Sequence, residues 1–252
     1  MKIAVLIIAY KEERYIERQI MQWNGLVDKI LVLVSARPWN GMGAGEDRTA
    51  DIARNCGVDV VVQDWRSEYE QRNWGLARLY DYDYILVPDP DEFFTTQGKQ
   101  LIFEALATKE ACYRISRLET YWKNTNYVLD PPDKHQPIIA VNPKRVKFFE
   151  HRQPCPITDM RVLQQYQPVI DVVMHHFSWV RSDEEIKTKI NSYSHADIIP
   201  SNWYYDTWLN WSYDPDKYGI RPYGRENSRV LHNPAPPEIR QIHLLTNSNL
   251  MQ

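Results

Sequence analysis

The chain of 252 residues has three cysteines, Cys56, Cys112 and Cys155, at no paired spacing. So sparse and odd a set argues against a disulfide framework and against a cysteine-built zinc site, and it fits a reducing, cytoplasmic compartment. There is no excess of one charge. The 30 basic and 33 acidic side chains leave a formal −3, which gives no overall field to draw the chain to nucleic acid. No apolar run approaches the roughly 18–20 residues of a membrane span. The apolar start, Met1–Tyr10, is cut off at once by Lys11, Glu12, Glu13 and Arg14, so no signal peptide is expected. Internal repeats and low-complexity tracts are also absent.

Apolar and aromatic residues are plentiful. A hydrophobic content of 43% supports one sizeable core. The 9 Trp and 16 Tyr, many of them in the last third, suit stacking on sugars or bases as well as filling a core.

Ile3–Ala9 and Lys29–Val34 are continuous β-branched runs, the pattern of strands buried on both faces. Between them, Ile16, Ile20 and Trp23 recur at helical spacing and predict a helix over Glu12–Val27. A loop, Ser35–Glu46, has the glycine-rich composition of an active-site loop. Asp47–Cys56 reads as a helix closed by Gly57, Val58–Gln63 as a strand, Glu68–Leu79 as a helix and Tyr84–Val87 as a fourth strand. This alternation predicts a doubly wound α/β fold with ligand loops at the carboxyl ends of the strands. Beyond Phe94 the pattern loosens. Gln100–Ala107 and Ser182–Ser194 read as helices, and Ala111–Arg117, Pro137–Val141 and Val169–Val173 as strands. Asn202–His243 shows no period.

The fourth strand runs directly into Asp89-Pro90-Asp91-Glu92. Two aspartates flanking one residue at a strand end suit a hard divalent cation, Mn2+ or Mg2+, which takes carboxylate oxygens and completes its shell with phosphate. Such an ion neutralises the charge that develops on a departing nucleotide diphosphate. An Asp-Pro turn merely solvated at the surface is the plainer alternative.

Four stretches in order complete a pattern: Ala9-Tyr10-Lys11-Glu12-Glu13, Asp47-Arg48-Thr49-Ala50-Asp51-Ile52-Ala53, Gln71-Arg72-Asn73-Trp74-Gly75-Leu76 and Asp89-Pro90-Asp91-Glu92-Phe93. Together they resemble a family 2-type glycosyltransferase of the GT-A fold, over about the first hundred residues. The resemblance implies a GT-A-type doubly wound, mostly parallel sheet. Residues 1–94 would form the nucleotide-sugar half. Residues 95–252 would form a less regular acceptor half of the same compact domain. It implies a nucleotide-sugar donor, UDP-sugar favoured, and an acceptor hydroxyl on a glycan, a lipid-linked or another molecule.

Residue by residue, Ala9, Tyr10 and Glu12 would meet the nucleoside, and Asp89 and Asp91 of the DxD motif the metal. A later His-plus-Lys segment, His175-His176-Phe177-Ser178-Trp179-Val180-Arg181 with Lys189, resembles one found late in some of these enzymes. Adjacent strand residues face opposite ways, so one histidine should reach the metal, and His176 is preferred. Arg72 would reach the diphosphate or the first aspartate, while Lys189 and Arg181 could close over the phosphates. For Glu12, Arg72, Arg181 and Lys189, an ordinary helix-surface charge is the alternative.

The chain departs from the pattern at Lys11, where Asn is usual, and in the long Ser35–Glu46 loop, which leaves Ser35 as the nearest polar contact from the second strand. An inverting transfer needs a carboxylate base. Asp159, Asp171, Glu119 and Asp206 are candidates, and Asp159, after a proline-rich turn, is taken as the catalytic one beside Asp91. A sugar nucleotidyltransferase would share the architecture but usually carries a glycine-rich loop after the first strand, which Tyr10-Lys11-Glu12-Glu13 is not. A non-catalytic carbohydrate-binding domain would leave the acid cluster without a use.

Overall fold

A computed structural model describes residues 1–40, 45, 47–157, 167–192, 196–222 and 227–249. The parallel strands are β1 (Ile3–Ala9), β2 (Lys29–Ser35), β3 (Asp59–Gln63) and β4 (Tyr84–Leu86). They lie in the order β3-β2-β1-β4, with Val5 opposite Ile30 on one side and Leu86 on the other. The helices between them are α1 (Ile16–Met21), α2 (Thr49–Asn55) and α3 (Glu68–Arg78).

Period-two alternation in β1 builds two cores. Ile3, Val5, Ile7 and Ala9 face Ile16, Ile20 and Trp23 of the α1 region together with Ala53 of α2. Ala4, Leu6 and Ile8 face Leu76 of α3, Leu79 and Trp65. Helices therefore cover both faces, and the doubly wound α/β architecture expected from the alternation is present. α3 lies close on its strand: a Cβ on Gly75 would sit 2.5 Å from a Leu6 methyl.

The chain then leaves the parallel pattern. A two-residue strand β5 (Glu92–Phe93) is followed by helix α4 (Thr96–Leu106), whose Ile102 and Leu106 join the first core. A long β6 (Cys112–Trp122) turns back through β7 (Asn124–Asp130), and β8 (Ile138–Val141) enters antiparallel between β4 and β6. β9 (Val146–Glu150) and β10 (Gln153–Pro156) form a separate hairpin. β11 (Val169–Trp179) runs parallel to β6 on its free edge and also pairs antiparallel with β5. After α5 (Asp183–Ser192), β12 (Arg229–His232) closes the far edge against β7, and α6 (Pro237–Asn249) follows.

The helix expected over Glu12–Val27 shrinks to Ile16–Met21. Its start is occupied by turns that bond back to the Glu12 carbonyl, and Gly25, at φ 76°, ends the segment. β6 and β11 are longer than their apolar runs, because pairing continues through the polar pairs Glu119-Thr120 and His175-His176. The tail without a period holds a π-helical turn, Tyr204–Leu209, whose Trp208 packs with Trp122, Trp179 and Trp203 in a third core. No helix among the described residues is long and apolar enough to cross a membrane.

Candidate functional site

A cleft of about 680 Å³ opens at the carboxyl ends of β1 and β4. Four acids meet there: Glu12 from the loop after β1, Asp89 and Asp91 from the loop after β4, and Glu92 from β5. Each is tied to a cation from elsewhere in the chain.

Arg72 of α3, 1% exposed, donates from Nη2 to Asp89 Oδ1 at 2.5 Å. Arg152, at the turn of the β9–β10 hairpin, grips Glu92 with two bonds of 2.7 and 2.6 Å and also donates to the Val87 carbonyl at 3.1 Å. Arg181, two residues beyond β11, donates from Nη2 to both Glu12 oxygens, at 2.9 and 2.8 Å, and to Asp91 Oδ2 at 2.9 Å. Lys189 of α5 reaches the same Asp91 oxygen at 3.1 Å.

The loop bearing Asp89 and Asp91 is held by its backbone. Gln19, buried on α1, donates to the Asp89 and Glu92 carbonyls, and Gln22 also donates to the latter. The Asp89 N–H donates to Glu92 Oε2 at 2.8 Å, and the Phe177 N–H of β11 to the Asp91 carbonyl at 2.8 Å. β5 pairs Glu92 with His176, so the β11 pleat presents His176 to the cleft. Its Nε2 lies 3.5 Å from Asp91 Oδ1. His175 faces the other way, its Nδ1 2.9 Å from the Tyr121 hydroxyl, and burial pushes its imidazole down to about 4.

Burial pushes the Asp91 carboxyl up, but Lys189, His176 and Arg181 outweigh it and hold the group well below the usual carboxylate range. Asp89 is likewise lowered by Arg152 and Arg72 against its burial. Glu12 goes the other way. Burial raises it to about 7 in spite of Arg181, helped by the negative charge of Asp91.

Taken whole, ten acidic and five lysine or arginine side chains line the cleft, a formal surplus of five negative charges. A nucleoside diphosphate entering such a lining needs added positive charge. The hard oxygens suit a divalent ion: Asp89 keeps its carboxylate 34% exposed and Asp91 turns Oδ1 toward His176. Among the described residues no three His, Cys, Asp or Glu side chains converge as a cage. One or two carboxylates with the rest of the shell from water and phosphate is the donor set Mg2+ or Mn2+ commonly takes. Arg72 Nε and Nη1, Arg181 Nε and the Tyr10 hydroxyl are buried without partners among the described residues, which leaves donors beside the acids for anionic oxygens.

Of the residues singled out from sequence, Ala9, Tyr10, Glu12, Arg72, Asp89, Asp91, His176, Arg181 and Lys189 line this one cleft. Ser35 does not. Its hydroxyl donates to the Arg37 carbonyl at 2.6 Å, and it borders an adjoining recess of about 250 Å³ shared with Tyr10, Lys11 and Asp51. Asp159 lies outside the described residues. The other base candidates are elsewhere: Asp171 accepts from Ser116, Glu119 pairs with Arg117, and Asp206 sits exposed on the π-helical turn.

Glu92, read with the metal acids, is 2% exposed and turned inward to Arg152. Sequence reasoning missed Arg152 and Gln19. Nothing marks an arginine in a hairpin turn, but a glutamine among Ile16, Ile20 and Trp23 on the apolar face of α1 was a visible signal. Asn73 has a structural use: it exchanges two hydrogen bonds, 2.7 and 2.8 Å, with the Phe148 backbone and so anchors the hairpin that delivers Arg152.

No protein-family model and no curated protein sequence matches the chain. Among solved structures it is similar to a mannosyltransferase from Pyrobaculum calidifontis in complex with GDP-Man and Mn2+, at 14% identity and TM-score 0.45, covering 75% of this chain and 60% of that one. It is also similar to 4-diphosphocytidyl-2C-methyl-D-erythritol synthase from Anaerococcus prevotii, at 14% identity and TM-score 0.41, covering 78% and 98%. A third is a CMP-2-keto-3-deoxy-manno-octonic acid synthetase complexed with CTP, at 10% identity and TM-score 0.37, covering 57% and 75%. These likenesses are remote, and the roles proposed below come from the cleft's own geometry.

Proposed function

We propose that the chain is a metal-dependent glycosyltransferase that moves a sugar from a nucleotide-diphosphate donor, UDP-sugar favoured, to an acceptor hydroxyl. The observation that carries this is the acid-rich cleft at the strand ends, where Asp89 and Asp91 stand among Arg72, Arg181 and Lys189. Asp89 and Asp91 would hold Mn2+ or Mg2+, with His176 facing the second of them. The ion would supply positive charge to a leaving diphosphate.

The protein's own groups do the rest. Arg72 and Arg152 keep Asp89 ionised and oriented, and Arg181 and Lys189 do the same for Asp91. Tyr10 and Glu12 border the side on which the nucleoside would lie. Leu118, Asp133, His135 and Pro137, from the later half of the chain, also line the cleft, and an acceptor would enter beside them. An inverting transfer also needs a base for the acceptor hydroxyl. Asp159 is the sequence-based candidate for that role.

Calorimetric titration of UDP and GDP with and without Mn2+ tests the reading. Binding is expected to need the ion and to fall at least tenfold in Asp91→Asn. Unchanged affinity in that variant, with metal present, refutes the assignment. Release of pyrophosphate from a nucleoside triphosphate and a sugar phosphate would instead make the chain a nucleotidyltransferase.

A further inference from the structure

One oxygen of Asp91 already carries two cations. Its Oδ2 accepts from Arg181 at 2.9 Å and from Lys189 at 3.1 Å. The two cations differ in how firmly they are placed. Arg181 is 3% exposed, is also bound to Glu12, and lies with its guanidinium carbon 5.0 Å from the Tyr15 ring centroid. It lies two residues beyond β11 and is held on two carboxylates at once. Lys189 reaches across from α5 on a flexible four-carbon stem and is 16% exposed. A divalent ion on Asp91 Oδ1, the oxygen that faces His176, would stand beside both cations held on Oδ2, and of the two only the lysine is free to swing away from that repulsion.

We propose that Lys189 serves Asp91 as a counter-ion until a diphosphate draws it off, so that the divalent ion and the nucleotide enter as a pair. This rests on the metal reading above. An ion alone either meets the repulsion of the Lys189 ammonium or pushes it off Asp91 and strands it in a partly buried wall. An ion arriving with a diphosphate offers that ammonium new phosphate oxygens, and Asp91 is released to the metal. The coupling is reciprocal: the nucleotide tightens the ion by the factor by which the ion tightens the nucleotide. Arg181 stays in place throughout and holds Glu12 and Asp91 in position.

The test reads metal binding directly, by electron paramagnetic resonance of free Mn2+ titrated into the protein with and without UDP or GDP. In the natural protein Mn2+ alone is expected to bind weakly, and at least tenfold more tightly with the nucleotide. In Lys189→Met, Mn2+ alone should bind about tenfold more tightly than in the natural protein, and the enhancement by nucleotide should fall toward one. Lys189→Arg, which keeps the charge, should retain the natural pattern, as should Lys187→Met at an exposed position on the same helix. Thermal melts confirm that each variant is folded. If folded Lys189→Met binds Mn2+ alone no more tightly than the natural protein, the proposal is overturned while the metal site stands. If the natural protein binds no Mn2+ with either nucleotide, the metal reading falls and takes the proposal with it.

Discussion

Replacing Arg152 by methionine tests the least visible part of the site. The guanidinium forms two short bonds to Glu92, with side chains 9% and 2% exposed. Removing one partner of such a pair leaves a buried, uncompensated carboxylate, at a cost of about 3–5 kcal/mol. Glu92 Oε2 would keep the Asp89 N–H at 2.8 Å, and methionine fills much of the space, so the low end, about 3 kcal/mol, is expected. In a chain of this size each kcal/mol moves the melting temperature by about 2–4 °C, which makes the drop roughly 6–12 °C. Urea unfolding followed by tryptophan fluorescence gives the loss as a shifted midpoint at constant slope. The double variant Arg152→Met, Glu92→Gln removes the stranded charge and should recover at least half. A single variant within about 1 kcal/mol of the natural protein, or a double variant no better than the single, would refute the reasoning.

Gln19→Leu should take one donor each from the Asp89 and Glu92 carbonyls and leave the buried Trp23 indole N–H without its acceptor, cost about 1–3 kcal/mol in urea unfolding, and weaken Mn2+-dependent nucleotide binding in calorimetry. Gly75→Ala places a methyl 2.5 Å from Leu6 and should destabilise by about 1–3 kcal/mol by the same measure; a neutral result would mean that α3 does not lie so close to β1. Burial pushes the Glu185 carboxyl up, but its bonds from Arg14 and from the Ser182 N–H outweigh that and leave it lowered. A lowered group contributes stability above its unfolded value, and that contribution is lost as pH falls through the folded one. The stability gap between the natural protein and Glu185→Gln should therefore narrow on acidification from about pH 5 and close in stronger acid. A gap that widens would contradict the sign.

The parallel half of the fold was legible because β1 is apolar at every position and β2 from Ile30 to Val34, a pattern that only a strand covered on both faces sustains. The acceptor half was less so. β9, β10 and β12 are short and mixed in polarity, and β12 pairs with a strand far earlier in the chain, so their identity lies in the pairing and not in the local sequence. The same distinction runs through the site. Asp89 and Asp91 announce themselves at the end of an apolar strand. Arg152 gains its meaning from a neighbour 60 positions earlier and Arg181 from one 169 positions earlier, and one-dimensional spacing carries neither. Ser35 shows the opposite error: it stands at the expected strand end but spends its hydroxyl on Arg37.

The order of these groups along the chain bears on synthesis. Glu12, Asp89, Asp91 and Glu92 all leave the ribosome before Arg152, Arg181 and Lys189, and Arg72 alone of the four cations precedes the last three acids. A nascent chain stopped at residue 150 would carry the whole acid set with a single counter-charge. Water must keep those carboxylates apart until the β9–β10 hairpin, β11 and α5 emerge, and the parallel sheet, complete by Leu86, waits with an open, hydrated rim for the residues that seal it.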